Sequence, residues 1–198
     1  MQGQFSEMFS HPTSTQLIVA ACVVIVIGIA VAAYLLLRRT RTRAFRNRFG
    51  SEYERAVATH GSSRQAEAKL ADRKTRVEAL EIRELGETQR DRFITEWHTV
   101  QSRFVDHPKA ALTEADDLVN SLLEARGYPR ASFDQRAADV SVNYPLVMDS
   151  YRQAHTIAVR TGLDEATTEE LRTAMIQYRS MFDELVQSRA PNAARTAA

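Results

Sequence analysis

An uninterrupted apolar run near the N-terminus most constrains what this chain can fold into. Residues 17–37 read LIVAACVVIVIGIAVAAYLLL, with no charge and no proline, and thirteen of the twenty-one are Leu, Ile or Val. A helix of this length spans roughly 30 Å, the thickness of the hydrocarbon core of a bilayer. A soluble core helix this long would show a polar face, and this run has none. We therefore predict one transmembrane helix over residues 17–37.

The charges that flank the run predict its orientation. Six arginines follow it, whereas residues 1–16 contain no Lys or Arg. Because positively charged flanks stay in the cytoplasm, we expect residues 1–16 to form a short extracytoplasmic N-terminus and the C-terminal domain to be cytoplasmic. A cleaved signal peptide is the alternative, since Ala30-Val31-Ala32 has a small-x-small form. Its basic n-region is missing, however, and the run exceeds the usual h-region.

The basic stretch after the run has two compatible interpretations. Its members are Arg38, Arg39, Arg41, Arg43, Arg46 and Arg48. They are expected to stop transfer through the membrane, and they are candidates for contact with anionic lipid, at about 1 kcal/mol for each residue near the surface. From Phe49 onward the chain holds 20 basic and 24 acidic residues, so no nucleic-acid partner is expected. A nucleoid or lipid-surface tether through these arginines is a third, weaker class of function.

Small residues within the run form a stripe. Ala21, Gly28 and Ala32 recur at helical spacing, which lets two helices approach closely, so a homodimer through the membrane helix is one expectation. Cys22 is the sole cysteine and cannot form an intrachain disulfide.

The remaining sequence is typical of helices and shows no convincing two-residue alternation. Four segments have the form of a capping box or a related N-cap, in which a Ser or Thr precedes Glu or Gln by three residues. They begin at Ser51, Ser62, Ser132 and Thr167. The aromatic stripe of Phe93, Trp97, Val100 and Phe104 predicts a buried helix face.

These signals predict an all-α protein in five parts. The N-terminus (1–16) and the transmembrane helix (17–37) precede a basic and charged helical arm over 38–85. A compact helical bundle occupies 86–187, and a disordered tail follows over 188–198.

The chain carries no motif that predicts catalysis. There is no Glu-x-x-His or H-E-x-x-H metal helix, no Walker loop, no dinucleotide fingerprint and no nucleophile elbow. We therefore expect no cofactor, no metal and no enzyme activity.

One constellation is denser in polar residues than a plain surface requires. This polar seam comprises Arg136, Asp139, Tyr151, Arg152 and His155. It is interpreted either as a hydrogen-bonded brace of the bundle or as a docking groove in which an arginine reads a carboxylate. An enzyme or small-ligand sensor that uses the Arg136–His155 region is the alternative function.

A resemblance to a known family covers residues 46–186. It is carried by four segments: RFGSEYERAV, TEWHTVQSRFVDHPKAALTEADDLV, ARGYPRASFDQRAADVSVNYP and ATTEELRTAMIQYRSMFDEL. Together they resemble an uncharacterised family of small bacterial single-pass membrane proteins with a cytoplasmic helical domain. The resemblance implies a bacterial inner membrane and supplies no catalytic residues. Our leading expectation is a membrane-anchored scaffold or adaptor that binds a protein partner at the cytoplasmic face.

Overall fold

The computed structural model of the chain describes residues 14–163 and 165–188, and these form α-helices, a short 3₁₀ helix and no strand. The all-α class is thereby confirmed. The helices are α1 (Ser14–Phe49), α2 (Ser51–His60), α3 (Ser63–Glu78), α4 (Glu87–Arg103), α5 (Pro108–Ala125), α6 (Phe133–Val140), α7 (Met148–Gly162) and α8 (Thr168–Gln187), with the 3₁₀ helix at Pro145–Val147. Most of the predicted N-terminus (1–16) and of the predicted tail (188–198) lies outside the described residues.

The chain divides into two units, Met1–Ala44 and Phe45–Ala198. The first holds most of α1. In the described chain, one helix is long and apolar enough to cross a membrane, over Cys22–Phe49. Its apolar side chains over residues 22–37 are exposed and do not pack into a core, with Val24, Ile29 and Leu37 each above 60% exposure.

The second unit is a helical bundle built around α5. Helices α4, α7 and α8 all pack against α5, and α7 also packs along α8. The core-facing stripe of α5 is fully buried at Leu112, Val119, Leu122 and Leu123, which recur at helical spacing.

Helices α2 and α3 pack against each other as a hairpin within this second unit. We assigned residues 38–85 to a charged arm and placed the start of the bundle at 86. In the structure, apolar side chains before residue 86 join the same core cluster as α4 to α8. They include Phe49, Tyr53, Ala56, Ala66, Leu70 and Val77. Apart from the buried Glu52 and Glu67, the charged residues between them are exposed or half-buried, so the sequence of α3 resembles that of a solvated helix.

Three of the four predicted helix starts have the expected local chemistry. The side chains of Ser62 and Ser132 accept hydrogen bonds from the third residue of their helices, and Thr167 with Glu170 forms a complete capping box. The expected box at Ser51 is wrong: Gly50, at φ 51°, is the N-cap of α2, and it makes no side-chain cap. Because α1 continues to Phe49, Ser51 already lies in the first turn of α2.

A buried arginine connects the C-terminal ends of α5 and α8. Arg126, at the C-cap of α5, is fully buried, and its Nη1 donates to the carbonyl oxygens of Leu185 and Ser188, each at 2.7 Å. A positive charge there satisfies carbonyl groups at the end of α8 that the helix itself leaves unpaired.

Candidate functional site

The most deeply buried carboxylate of the polar region belongs to Glu52, which is 1% exposed. Arg152 binds it with two parallel hydrogen bonds, Nε to Oε1 at 2.9 Å and Nη2 to Oε2 at 3.0 Å. Arg55 and Arg73 lie at 3.5 and 3.9 Å from the same carboxylate. Burial lowers the pKa of Arg73, against the opposing effect of the Glu52 charge. This cluster connects α2 and α3 to α7.

A second buried carboxylate, Asp139, connects α3 to α6. It accepts a hydrogen bond from Nε of Arg76 at 2.9 Å, and the side-chain amide of Gln135 donates to both of its oxygens at 2.9–3.0 Å. Because a buried carboxylate requires such donors, Arg76 and Gln135 offset the cost of burying Asp139 within the bundle.

A third cluster centres on Asp116 of α5. Tyr178 donates its hydroxyl to Asp116 at 2.6 Å, Asn120 donates at 3.2 Å, and Nδ1 of His155 lies 3.4 Å away. Burial opposes ionisation of Asp116, but these three hydrogen bonds outweigh it and lower its pKa. The cluster joins α5, α7 and α8.

Arg136 and Tyr151 meet at the side chain of Asn120. Both donate to its Oδ1, Tyr151 at 3.4 Å, and Arg136 also donates to the backbone carbonyl of Ala131 at 3.0 Å. The guanidinium of Arg136 is therefore engaged by two acceptors of its own chain.

The chemistry of these groups favours structure over catalysis. Burial, followed by the negative charge of Asp116, raises the pKa of both Tyr151 and Tyr178, so they act as hydrogen-bond donors and are poor nucleophiles. The imidazole of His155 stacks on Phe133, with ring centroids 3.6 Å apart and planes inclined by 7°.

The structure thus distributes the predicted seam over three clusters. Arg152 belongs to the Glu52 cluster, Asp139 to the Arg76 pair, and the other three residues to the Asp116–Asn120 cluster. Sequence reasoning missed the partners that organise them. The missed partners are Glu52, Arg76, Asp116 and Asn120. Only Asp116 and Asn120, four residues apart on the core-facing side of α5, gave any signal, as polar groups beside an apolar stripe.

The arginines proposed for lipid contact are largely exposed. Those with described side chains are Arg38, Arg39, Arg43, Arg46 and Arg48, and the side chain of Arg41 lies outside the described part. Arg46 already pairs with Glu54 at 2.6 Å, and the guanidinium of Arg48 lies 5.8 Å from the ring centre of Phe49.

An open cleft lies between α4 and α8, away from the seam. Its volume is about 700 Å³. The rings of Trp97 on α4 and Phe182 on α8 stack on each other, with centroids 4.7 Å apart. Together with Ile94 and Val186 they form the apolar floor of the cleft. Residues of mixed polarity form the rim: Glu84, Arg90, His98, Gln101, Arg179, Asp183, Gln187 and Ser188.

Helical spacing explains why the cleft forms. Residues 90, 94, 97, 98 and 101 share one face of α4, and residues 179, 182, 183 and 186 share one face of α8. The two helices both pack on α5, and the rings of Trp97 and Phe182 stack on each other between them. Trp97 is 3% exposed, which confirms its predicted burial.

Among residues 14–163 and 165–188, no group of three His, Cys, Asp or Glu side chains is placed to hold a metal ion. No family model, curated protein or solved structure matches this chain. The resemblance to a family of bacterial membrane proteins therefore stays a prediction.

Proposed function

We propose that this protein is a membrane-anchored adaptor, whose helical unit binds a segment of a partner protein in the cleft between α4 and α8. The single observation that carries the proposal is the cleft itself. It combines an apolar floor with a polar rim, which is the composition of protein-binding surfaces that are exposed before they are occupied.

The polar seam supports the proposal because its arginines already bind other residues of the chain and are not available to a partner. The guanidinium groups of Arg136 and Arg152, which we considered for reading a carboxylate, already bind Asn120 and Glu52. Binding a partner there would first require breaking these contacts, at about 3–5 kcal/mol for a buried ion pair. The open cleft has no comparable cost.

The proposed location follows from α1. Its exposed apolar surface would be unstable in water, and arginines follow it on one side only. We place the helical unit in the cytoplasm of a bacterium and the N-terminus outside.

The location is tested with a reporter, fused after residue 198, that is active only outside the cytoplasm. It should stay silent, and the full chain should remain in the membrane fraction after alkaline carbonate extraction. An active reporter, or a mature N-terminus near Ala33, would overturn the orientation or the anchor.

Partner binding is tested by placing a photo-reactive amino acid at His98, on the rim of the cleft, in the full chain within cells. A discrete adduct with one protein is expected. Val159 is the control position, because it is also exposed, lies on α7 and does not line the cleft. The adduct at His98 should also disappear when residues 17–37 are deleted, since the partner is met at the membrane. Equal labelling at both positions, or none at His98, would refute the cleft as the binding surface.

A further inference from the structure

We infer that the α4–α8 cleft recognises a carboxylate, and that its occupant is the C-terminal carboxylate of a partner chain whose last side chain is apolar. This inference rests on the proposed function and specifies the chemistry of its ligand.

Two buried donors of α4 carry the inference. The indole Nε1 of Trp97 and the Nε of Arg90 are both buried, and neither makes a hydrogen bond to any residue that the structure describes. Buried polar groups are almost always paired, so two unpaired donors in one cleft indicate an external acceptor. The two residues are seven positions apart, which places them on the same face of α4, and both line the cleft.

The charge of Arg90 makes an anion the preferred acceptor. On the opposite wall, formed by α8, Nε of Arg179 lies 3.6 Å from Oδ2 of Asp183, so these two charges largely neutralise each other. The remaining acidic group, Glu84, is exposed at the rim and already interacts within the chain. A carboxylate that accepts from both Arg90 and Trp97 would gain charge-assisted hydrogen bonds in a partly dehydrated site.

The apolar floor restricts what carries this carboxylate. The stacked rings of Trp97 and Phe182 border the same cleft as the two donors, so the ligand must present an apolar group close to its anion. A C-terminal residue has both on one Cα. The volume of about 700 Å³ holds a chain end of a few residues, and capture of a C-terminal carboxylate is an established mode of peptide recognition.

The test uses the full chain in lipid nanodiscs and two probes of equal shape. These are N-acetyl-Ala-Ala-Leu with a free carboxylate and the same tripeptide as its C-terminal amide. Trp97 is the sole tryptophan of the chain, so its fluorescence reports directly on occupancy of the cleft. We expect the acid to bind about 10-fold or more tightly than the amide, since a hydrogen bond to a charged group contributes at least this factor.

Arg90→Gln should reduce this preference to less than about 2-fold, as the contribution of the charged pair is removed. Arg92→Gln is the matched control. It removes an arginine of the same helix that does not line the cleft, and it should keep the preference intact. Circular dichroism of both variants verifies that they are folded.

Three outcomes would overturn the inference. The first is equal affinity for acid and amide, and the second is a preference that survives Arg90→Gln. The third is N-acetylleucine binding as tightly as the tripeptide acid, which would identify a small free acid as the ligand. The photo-adduct at His98 is independent of all three, so its persistence would preserve the proposed function while this inference fails.

Discussion

Glu52 shows how single residues decide the stability of the helical unit. A carboxylate that is 1% exposed is tolerated only because Arg152 pairs with both of its oxygens, with Arg55 and Arg73 nearby. Burying the pair contributes little net stability, but removing one partner leaves an uncompensated buried charge.

Arg152→Gln should therefore lower the free energy of unfolding by about 3 kcal/mol. A double-mutant cycle with Glu52→Gln, measured by urea denaturation, should give a coupling energy of about 2 kcal/mol, within the range for contacting residues. The exposed pair Arg46–Glu54 provides the matched control, with an expected coupling of about 0–1 kcal/mol. Similar values for the two pairs would contradict the burial argument.

The same logic separates the two interpretations of the polar seam. Arg136→Ala removes the donor that Asn120 and the carbonyl of Ala131 share, so we expect a loss of about 1–3 kcal/mol. It should lower the melting temperature and leave the His98 photo-adduct intact at temperatures where the variant is folded. An unchanged melting temperature together with a lost adduct would identify the seam as the docking site.

Glu170 makes the stability of the helical unit depend on pH in the acidic range. Hydrogen bonds from the backbone N–H of Thr167, then from the side chains of Arg160 and Thr167, lower its pKa from 4.5 to about 2. A lowered pKa means that its contribution is present above pH 4.5 and is lost as the pH falls from 4.5 toward 2. Glu170→Gln should thus show a smaller loss of stability over this interval than the unmodified chain, measured by denaturation at several pH values. Glu169→Gln, at the neighbouring exposed position, should behave like the unmodified chain.

At the scale of elements, Gly127 fixes how α5 ends. The backbone N–H of Gly127 donates to the carbonyl oxygen of Glu124, and the backbone N–H of Tyr128 donates to the carbonyl oxygen of Leu123. This is the hydrogen-bond pattern of a Schellman motif. Its φ of +96° suits glycine, and a Cβ there would collide with the backbone oxygen of Glu81, in the segment that leads to α4.

Gly127→Ala should consequently destabilise the protein by about 2 kcal/mol or more, through backbone strain and displacement of residues 79–86. Gly162→Ala, at the last residue of α7, is the control: nothing lies within 4 Å of its added Cβ, and it should be neutral or stabilising by up to about 1 kcal/mol. Thermal unfolding of the two variants measures the difference. Equal effects would show that the close approach to Glu81 is unimportant.

Local elements were the part of the fold that the sequence could predict. The starts of α3, α6 and α8 depend on one side chain and one backbone N–H three residues later, so Ser62, Ser132 and Thr167 suffice to recognise them. The start of α2 was missed because it depends on Gly50, whose role follows from the length of α1.

At the scale of the whole molecule, the missing information was long-range. Glu52 and Arg152 are separated by 100 positions, and Arg76 and Asp139 by 63. In a chain with 26 basic residues, nothing local indicates which arginine meets which carboxylate. For this reason the sequence predicts a charged arm where the structure has the hairpin of α2 and α3, and one polar seam where the structure has three clusters. The cleft could not be predicted for a related reason. Trp97 and Arg90 share one face of α4, but the sequence does not indicate that α8 forms the opposite wall.

A comparison of two truncated chains tests whether the hairpin belongs to the folding unit. Residues 45–188 should unfold cooperatively, whereas residues 86–188 should be unstable or loosely packed. Removing the hairpin takes away several buried apolar side chains, each contributing about 1.5–3 kcal/mol, and it leaves Asp139 and Arg152 without their ion-pair partners. Urea denaturation monitored by circular dichroism measures both. Equal stability would restore a domain boundary at residue 86.

The burial of Arg126 constrains the order of events during synthesis. Its guanidinium is held by carbonyl oxygens at residues 185 and 188, which the ribosome adds about sixty positions later. Until α8 has left the exit tunnel, these two carbonyl oxygens cannot reach Arg126 in the nascent bundle. The bundle therefore reaches its final packing only after α8 has emerged, whatever helices α2 to α7 have formed earlier. A ribosome that stalls or a message that terminates before α8 releases a chain that lacks two carbonyl acceptors of Arg126, a ready substrate for cellular quality control.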